Sequence, residues 1–350
     1  MIKVFMSINA APGNIGDIYI RRQVIRAFDR EGVSGFLYAG KMPMSYRDAF
    51  DLSERWVMTS SYTKFLWRLG CSYATRKCIF VMAPGPATLG RNFASTLKHI
   101  LVTFLILIGR ITGNRILVLG RAVRAKSKFA LFFERLIVRA SDMYVVRDST
   151  SSCLLNREKV RPGPDYAFTA DLEPAKDTKR RIFASISLRH DRHVDAEALK
   201  KLVEMMRSER LVPRLVVQVR EDQNTSSALA AMLGIDILDW NDSTPHSAQE
   251  KSILSAYGES AIVVSDRLHA LIFGAIRGAI PIIVERHGEE KLHATLDTII
   301  GPQSIWLNGK VPIGTIDASD TEAHRIAAGT LRAEKELEKI WNETLKVSGI

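Results

Sequence analysis

Short apolar runs rich in Val and Ile alternate along the whole chain with longer amphipathic segments. Such runs are typical of buried strands, and the longer segments are typical of helices that cover them. The alternation predicts mostly parallel sheets, because parallel neighbours need a crossover connection. The predicted strands are Lys3 to Ile8, Cys78 to Met82, Arg115 to Leu119, Asp142 to Val146, Arg181 to Leu188, Arg214 to Val219, Ile235 to Leu238, Ala261 to Ser265 and Pro281 to Val284. Helices are predicted at Ile18 to Arg30 and Lys126 to Arg139.

The length and one polar stretch predict two domains. At roughly 150 residues per domain, 350 residues exceed most single cores. Between Arg161 and Lys179 the alternation lapses into a polar, proline-containing stretch typical of interdomain connections. We expect an α/β fold with Rossmann-like domains at 1–165 and 179–320 and a helix at 321–350. Ligands of two such domains bind in a cleft at the carboxyl ends of the strands.

The charge balance predicts an anionic partner. Lys and Arg outnumber Asp and Glu by 49 to 38, which gives a formal net charge of +11. Such a surface attracts phosphorylated metabolites, nucleic acid or acidic lipid headgroups. The basic interval 110–139 lacks an RNA-type aromatic motif and is interpreted as a helix face, so no nucleic-acid partner is expected. The second interpretation of this interval is a surface for an anionic membrane or a lipid-linked acceptor.

Cysteines and apolar segments favour a cytoplasmic protein. Cys71, Cys78 and Cys153 are an odd number without a C-x-x-C pair, so neither a disulfide framework nor a metal site is expected. The apolar start of the chain lacks the basic residues and long apolar core of a signal peptide. The segment from Ile100 to Ile108 is about half the length of a membrane-spanning helix and is interpreted as a buried helix.

The strongest local feature is Ser265-Asp266-Arg267-Leu268-His269, which follows a fully apolar strand and precedes a helix. A helix N-terminus presents free N–H groups and a partial positive charge to an anion, and Arg267 adds a forked donor. His269 can supply a proton near neutral pH. The alternative interpretation is structural, with Ser265 as an N-cap, Arg267 in an ion pair and His269 satisfied in the core.

Two further strand ends carry candidate arginines. Arg189 follows the first strand of the second domain, and together with Arg267 it suits a small dianion. Arg147 occupies the corresponding position in Val146-Arg147-Asp148-Ser149-Thr150-Ser151. The alternatives are a solvated charge for Arg189 and an ordinary capped helix start after Arg147.

The first predicted strand is followed by Pro12-Gly13-Asn14-Ile15-Gly16-Asp17. Its glycines allow close backbone approach, so Asn14 and Gly16 are candidates for substrate binding. Asp17 can accept a sugar hydroxyl or its proton, or it can simply cap the following helix. The three-glycine spacing of a dinucleotide fingerprint is absent.

Together these segments resemble the polysaccharide pyruvyl transferase family from the glycine loop to about Gly301. The matching features are Gly13 to Asp17, Val146-Arg147-Asp148 with Ser151, Pro164-Asp165, Ile186 to Arg189, and Ser265 to Ala270 continuing to Gly278-Ala279-Ile280-Pro281. The resemblance implies a glycosyltransferase-B-like arrangement of two Rossmann-like domains with a central cleft. It implies phosphoenolpyruvate as the donor substrate with no further cofactor, a saccharide acceptor and a cyclic pyruvate ketal as the product.

By the same resemblance, Arg189 and Arg267 match positions that bind the carboxylate and phosphate of the donor, and His269 matches the proposed acid catalyst. Asp17 is the candidate contact for the acceptor. The chain departs from the family at Gly120 to Ala125, where many relatives have a glycine-rich turn ending in Gly-Pro. Basic side chains in such a turn would change the acceptor half of the cleft.

Two other functions are compatible with the sequence. The same fold and basic cleft suit a nucleotide-sugar-dependent glycosyltransferase. A non-catalytic subunit of a polysaccharide assembly complex would also explain the net charge of +11 and the departure at Gly120. For the pyruvyl transferase we expect a cytoplasmic location, at the inner face of the plasma membrane if the acceptor is lipid-linked.

Overall fold

The computed structural model describes residues 2–155, 158–169, 181–193, 195–285, 290–307 and 314–350. It divides into two compact units. The first comprises Met1–Pro12, Asp17–Tyr166 and Lys335–Ile350, and the second comprises Gly13–Gly16 and Ala167–Glu334. The glycine loop therefore belongs to the second unit, and the C-terminal helix is divided between the units. Residues 170–179 of the proposed linker lie outside the described residues.

A parallel sheet forms the centre of the first unit. Its strands are β1 (Lys3–Ser7), β2 (Ser34–Tyr38), β3 (Trp56–Thr59), β4 (Cys78–Met82), β5 (Gly85–Leu89), β6 (Arg115–Ala125), β7 (Met143–Val146) and β8 (Val160–Pro162). Their order is β3-β2-β1-β4-β6-β7-β8, and β5 also pairs with β6. This order reverses beside β1, as in doubly wound folds, which bind ligands at the carboxyl edge.

Helices in the first part of the chain are α1 (Ile15–Arg30), α2 (Met44–Asp48), α3 (Tyr62–Ala74), α4 (Phe93–Ile111), α5 (Lys128–Ala140) and α6 (Ser149–Leu155). Buried residues of α3, α4 and α5 share one apolar core with alternate strand residues such as Ile116 and Val118. Since alternate residues of a strand point to the same face, these three helices cover one face of the sheet.

A second parallel sheet organises the second unit. Its strands are β9 (Phe183–Ser187), β10 (Val212–Val216), β11 (Asp236–Leu238), β12 (Ser260–Ser265), β13 (Ile280–Glu285) and β14 (Gln303–Trp306). Their order is β11-β10-β9-β12-β13-β14. The helices are α7 (Ala196–Ser208), α8 (Gln223–Leu233), α9 (His246–Glu259), α10 (Leu268–Ile276), α11 (Glu290–Leu296) and α12 (Asp320–Ser348). From Lys335 onward, α12 belongs to the first unit, where Trp341 packs edge-to-face on Phe28.

All nine predicted strands are present, eight of them with shifts of up to three residues at their ends, whereas β6 extends six residues beyond its predicted end at Leu119. The strands that the sequence pattern missed are β2, β3, β5, β8 and β14. Three of these, β3, β8 and β14, end their sheets in the described chain. An end strand needs no continuous apolar run, because one of its sides is not covered by a neighbouring strand.

The interpretation of Ile100 to Ile108 as a short buried helix is wrong. The helix α4 extends over 19 residues from Phe93 to Ile111, and Leu101, Phe104 and Ile108 are each at least half exposed. It packs on the sheet through a narrow side only. The interpretation of residues 110–139 as one helix face is also wrong, because this interval contains the strand β6 as well as α5.

The expected turn at Gly120 to Ala125 is a continuation of β6 instead. Gly120 has a φ of +64°, which shifts the register of the strand without ending it. The guanidinium of Arg121 donates to both oxygens of Glu134, at 2.6 and 3.0 Å. Arg124 donates to Asp148 at 3.1 Å. Both basic side chains are therefore held by carboxylates of the first unit.

Glu134 is fully buried and links four elements of the first unit. Besides Arg121 on β6, it accepts a short hydrogen bond from Tyr144 on β7, and its Oε2 lies 3.2 Å from Nε2 of His99 on α4. Burial alone would raise the pKa of this carboxyl group, but Arg121, His99 and Tyr144 together offset burial and hold the pKa below its ordinary range. Burial lowers the pKa of His99, so its imidazole stays neutral at pH 7.

Candidate functional site

The ends of β9 and β12 bring two predicted arginines to the same edge of the second sheet. The two strands pair in parallel, with Ser187 opposite Ser265. Arg189 and Arg267 each follow two residues later. The carboxyl edge of a parallel sheet is the usual ligand site of doubly wound folds. The register thus supports a common location for Arg189 and Arg267.

Ser265 fastens these two strand ends and shapes the turn after β12. Its Oγ donates to the carbonyl oxygen of Ser187 at 2.5 Å and accepts a hydrogen bond from the backbone N of Arg267 at 2.9 Å. Ser265 is therefore not the N-cap that the structural alternative proposed. Arg267 occupies the N-cap position of α10, without a side-chain capping hydrogen bond. The first turn of α10 is a helix N-terminus of the kind that attracts anions.

Asp222, which the sequence analysis missed, joins the two strand ends. It is 1% exposed. Its Oδ1 accepts from Nη2 of Arg267 at 2.5 Å and from the backbone N of His190 at 3.0 Å. The Nδ1 of His190 lies 2.9 Å from the same oxygen. The sequence feature that could have identified Asp222 as a site residue is its position shortly after a predicted strand, in the polar run Arg220-Glu221-Asp222.

Arg189 is held by two aspartates. Its backbone N donates to Oδ1 of Asp266 at 3.0 Å. Its guanidinium forms two hydrogen bonds with Asp191, at 2.8 and 2.7 Å. These bonds lower the pKa of Asp191 to about 2. The Arg189–Asp191 pair is partly exposed, and exposed pairs exchange partners at little cost in free energy.

His269 lies in the first turn of α10 and is only 7% exposed. Its ring stacks on Phe273, with 6.1 Å between centroids. On another side it touches the backbone of Gly16, where an added Cβ would lie 2.0 Å from Nδ1. Gly16 is therefore required by close packing against the imidazole. Its backbone N donates to Oδ1 of Asn14 at 3.0 Å, so Asn14 shapes this approach.

The rest of the glycine loop is fixed to the segment after β10. The backbone N of Arg220 donates to the carbonyl oxygen of Gly13 at 3.0 Å, and Asn14 forms a bridge with Val219. A Cβ at Gly13 would lie 2.5 Å from Oε2 of Glu221. Six of the eight predicted site residues thus fall in the second unit: Asn14, Gly16, Arg189, Ser265, Arg267 and His269.

The other two predicted residues, Asp17 and Arg147, belong to the first unit. Asp17 lies in the first turn of α1, with its carboxylate 3.4 Å from Nη1 of Arg21. Arg147 is buried, and its Nη1 donates to Asp165 at 2.5 Å. Asp148 accepts from the backbone N of Ser151 at 2.7 Å, as the capped-helix alternative requires. Their roles in substrate binding remain predictions.

A cavity of about 450 Å³ lies elsewhere in the first unit. Its lining residues are Lys3, Phe36, Arg68, Cys71, Ser72, Thr75 and Lys77. Lys3 and Lys77 mark the amino ends of β1 and β4, whereas ligands of such sheets bind at the carboxyl ends. We therefore favour the group of residues around Arg189, Arg267 and His269 over this cavity as the ligand site. We term this group the strand-end cluster. Among the described residues, no group of three or more His, Cys, Asp or Glu side chains is arranged to hold a metal ion.

Comparisons with known proteins identify one matching family model. The model of the polysaccharide pyruvyl transferase family matches residues 14–283, from the glycine loop to β13. A search of curated proteins found no significant match.

Solved structures with the same fold are distant in sequence. A glycosyltransferase from Rickettsia africae is 14% identical with a TM-score of 0.60, covering 99% of both chains. A UDP-N-acetylglucosamine 2-epimerase is 8% identical with a TM-score of 0.55, covering 99% of this chain and 97% of its own. HepE from Anabaena, in complex with UDP, is 9% identical with a TM-score of 0.54, covering 99% of this chain and 100% of its own. At these identities the similarity establishes a glycosyltransferase-B-like α/β fold.

Proposed function

Because the chain belongs to the polysaccharide pyruvyl transferase family, we propose that it transfers a pyruvyl group from phosphoenolpyruvate to two hydroxyls of a saccharide. The family match carries this proposal, since it spans every segment of the strand-end cluster. Arg189, Arg267 and the N-terminus of α10 supply positive charge at one sheet edge. Phosphoenolpyruvate has an anionic group at each end and suits two arginines on neighbouring strands.

In the proposed reaction, His269 acts as the acid. Its imidazolium protonates the methylene carbon of phosphoenolpyruvate, which makes the adjacent carbon electrophilic. One saccharide hydroxyl adds to this carbon and phosphate leaves. The second hydroxyl then adds, closing the ketal, and the hydroxyl protons return to His269 and to phosphate. Arg267 and Arg189 stabilise the charge of the donor and of the departing phosphate.

Asn14, Gly16 and Ser265 define the proposed walls of the donor site, whereas Asp17 and Arg147 are proposed contacts on the acceptor side. The saccharide serves cell-surface polysaccharide or glycolipid synthesis, and we place the reaction in the cytoplasm. Neither a metal nor a further cofactor is required by this scheme, because charged side chains perform each stabilising role.

Phosphate release from phosphoenolpyruvate tests the proposal directly. The protein would be incubated with a panel of saccharides, free and carried on polyprenyl diphosphate, and the added pyruvyl group detected by mass spectrometry. We expect saccharide-dependent phosphate release that His269→Ala and Arg267→Ala abolish while both variants remain folded. Full activity in both variants would show that the site assignment is wrong.

A nucleotide-sugar-dependent glycosyltransferase is the second candidate, because HepE has the same fold and was solved with UDP. Thermal unfolding separates the two, since a bound donor stabilises the folded state. Pyruvyl transfer predicts a rise in Tm with phosphoenolpyruvate. A rise with UDP- or GDP-sugars alone would favour the glycosyltransferase, and no response to any donor would favour a non-catalytic subunit.

Replacing Asp191 by asparagine is expected to strengthen donor binding. Asp191 occupies two donors of Arg189, and its carboxylate opposes an incoming anion. Loss of this charge should lower the KM for phosphoenolpyruvate about two- to fivefold, the factor that corresponds to the free energy of an exposed ion pair. Tm should change little, because the side chain is 48% exposed. Steady-state kinetics measures this effect, and a raised KM would contradict donor binding by Arg189.

A further inference from the structure

The helix α4 exposes a more apolar side than it buries. The exposed side, which we term the α4 stripe, consists of Leu97, Leu101, Phe104, Ile108 and Ile111, with exposures between 45% and 84%. Their spacing of three or four residues places them along one line of the helix. The buried side consists of His99, Thr103, Ile106 and Gly109. A helix of a soluble domain normally has the reverse arrangement.

Neighbouring helices extend this apolar surface. On α5, Phe129 and Phe132 are 58% and 54% exposed, and on α3, Trp67 is 73% exposed. Leu89 and Ala125 are paired at the ends of β5 and β6, so the helices that follow them, α4 and α5, both begin at this edge of the sheet. Gly109 of α4 packs against Tyr73 of α3. The three helices therefore form one layer, and exposed apolar patches of this extent mark interaction sites.

The exposed charges on the three helices around the stripe are basic, and Arg110 at the end of α4 pairs with Asp142. From Arg55 to Phe133 the sequence contains thirteen Lys and Arg residues and no Asp or Glu. Exposed members on the three helices or next to them include Lys64, Arg68, Arg91, Lys98, Lys126 and Lys128. A basic surface with an aromatic and aliphatic centre is complementary to an anionic lipid bilayer, whose headgroups attract cations while its acyl boundary accepts apolar side chains.

We propose that the α3–α4–α5 layer docks on an anionic membrane, with α4 lying in the plane of the headgroups. In the described chain α4 is the one helix long and apolar enough to cross a bilayer by length and composition, and 22% of that segment is buried. Crossing is excluded by its position. It connects the neighbouring parallel strands β5 and β6, and its buried side stays packed on the sheet.

This inference does not depend on the proposed function, because none of the proposed site residues lies on these three helices. Docking would bring the enzyme to lipid-linked saccharides, which are acceptors of the proposed reaction. A failure of vesicle binding leaves the assay with free saccharides unaffected. Conversely, an inactive protein can still bind vesicles, so the two proposals fail independently.

Vesicle flotation tests the docking surface with the full chain. Vesicles of phosphatidylcholine alone would be compared with equal parts of phosphatidylcholine and phosphatidylglycerol. We expect binding to the anionic vesicles, weakened by high salt. Leu101→Ser should reduce the partition coefficient about tenfold through lost apolar burial, and Lys98→Glu should reduce it by a similar factor through charge reversal.

Matched controls lie on helices of the second unit. Leu331 on α12 is 51% exposed, close to the 53% of Leu101, so Leu331→Ser should leave vesicle binding unchanged. Lys200 on α7 is an exposed lysine for the control Lys200→Glu. Equal losses in test and control variants would overturn the proposal, as would absence of binding to anionic vesicles. A dimer that Leu101→Ser dissociates without altering vesicle binding would also overturn it, since the layer would then bind a second copy.

Discussion

Replacing Gly16 by alanine is expected to lower the kcat of pyruvyl transfer about 100-fold, the cost of moving a catalytic group by roughly 1 Å. The new Cβ would lie 2.0 Å from Nδ1 and 2.3 Å from Cγ of His269. Because Phe273 packs on the ring, the imidazole has to leave its present position. Steady-state kinetics of phosphate release measures the change, and the KM for phosphoenolpyruvate should rise less than kcat falls, since both arginines remain.

The control is Gly70→Ala on α3, where nothing lies within 4 Å of the added Cβ. Alanine is favoured over glycine in a helix, so this variant should gain about 0.5–1 kcal/mol of stability and keep full activity. Folding of the Gly16 variant would be checked by circular dichroism. A folded Gly16→Ala protein with normal kcat would contradict the role of His269 as the acid.

Replacing Glu134 by glutamine is expected to lower the free energy of unfolding by about 3–5 kcal/mol, because the guanidinium of Arg121 loses its buried counter-charge. Arg121 is held almost entirely inside the first unit by this carboxylate. Urea denaturation measures the loss. In the control Glu259→Gln, the carboxylate that pairs with Arg214 is 53% exposed, so its loss should cost less than about 1 kcal/mol. Equal effects of the two substitutions would show that the buried network does not stabilise the fold.

The same network predicts that acid destabilises the protein in two steps. Burial keeps His99 neutral in the folded state, so the unfolded chain binds an extra proton as pH falls below the ordinary pKa of 6.5. The pKa of Glu134 is also lowered, so its contribution is present above its ordinary value of 4.5 and is lost as pH falls through the lower folded pKa. Both shifts make stability decrease with falling pH. Urea midpoints between pH 7 and pH 3 should show both parts of this decrease, and His99→Gln should flatten the first part.

Much of the candidate site was predictable because it depends on strand ends. Apolar runs located β9 and β12, and each run was followed directly by an arginine, so Arg189 and Arg267 were found from local sequence. Asp222 was missed because its role depends on contacts with residues 32 and 45 positions away. Similarly, the sequence indicates that Gly16 tolerates close approach, but only the fold identifies His269 as its neighbour.

The helix α4 also shows what local sequence cannot predict. Its apolar composition alone led to the wrong interpretation of a buried helix, since hydropathy does not identify which side meets the sheet. Packing places His99 next to Glu134 and leaves Leu101 exposed.

The sequence by itself determined the parallel α/β architecture, the family and the strand-end arginines, because periodicity and short motifs are local properties. Only the tertiary structure decided which carboxylates hold Arg121, Arg189 and Arg267, how Gly16 meets His269, and which side of α4 is exposed. These depend on strand order and packing, which join residues far apart in the chain.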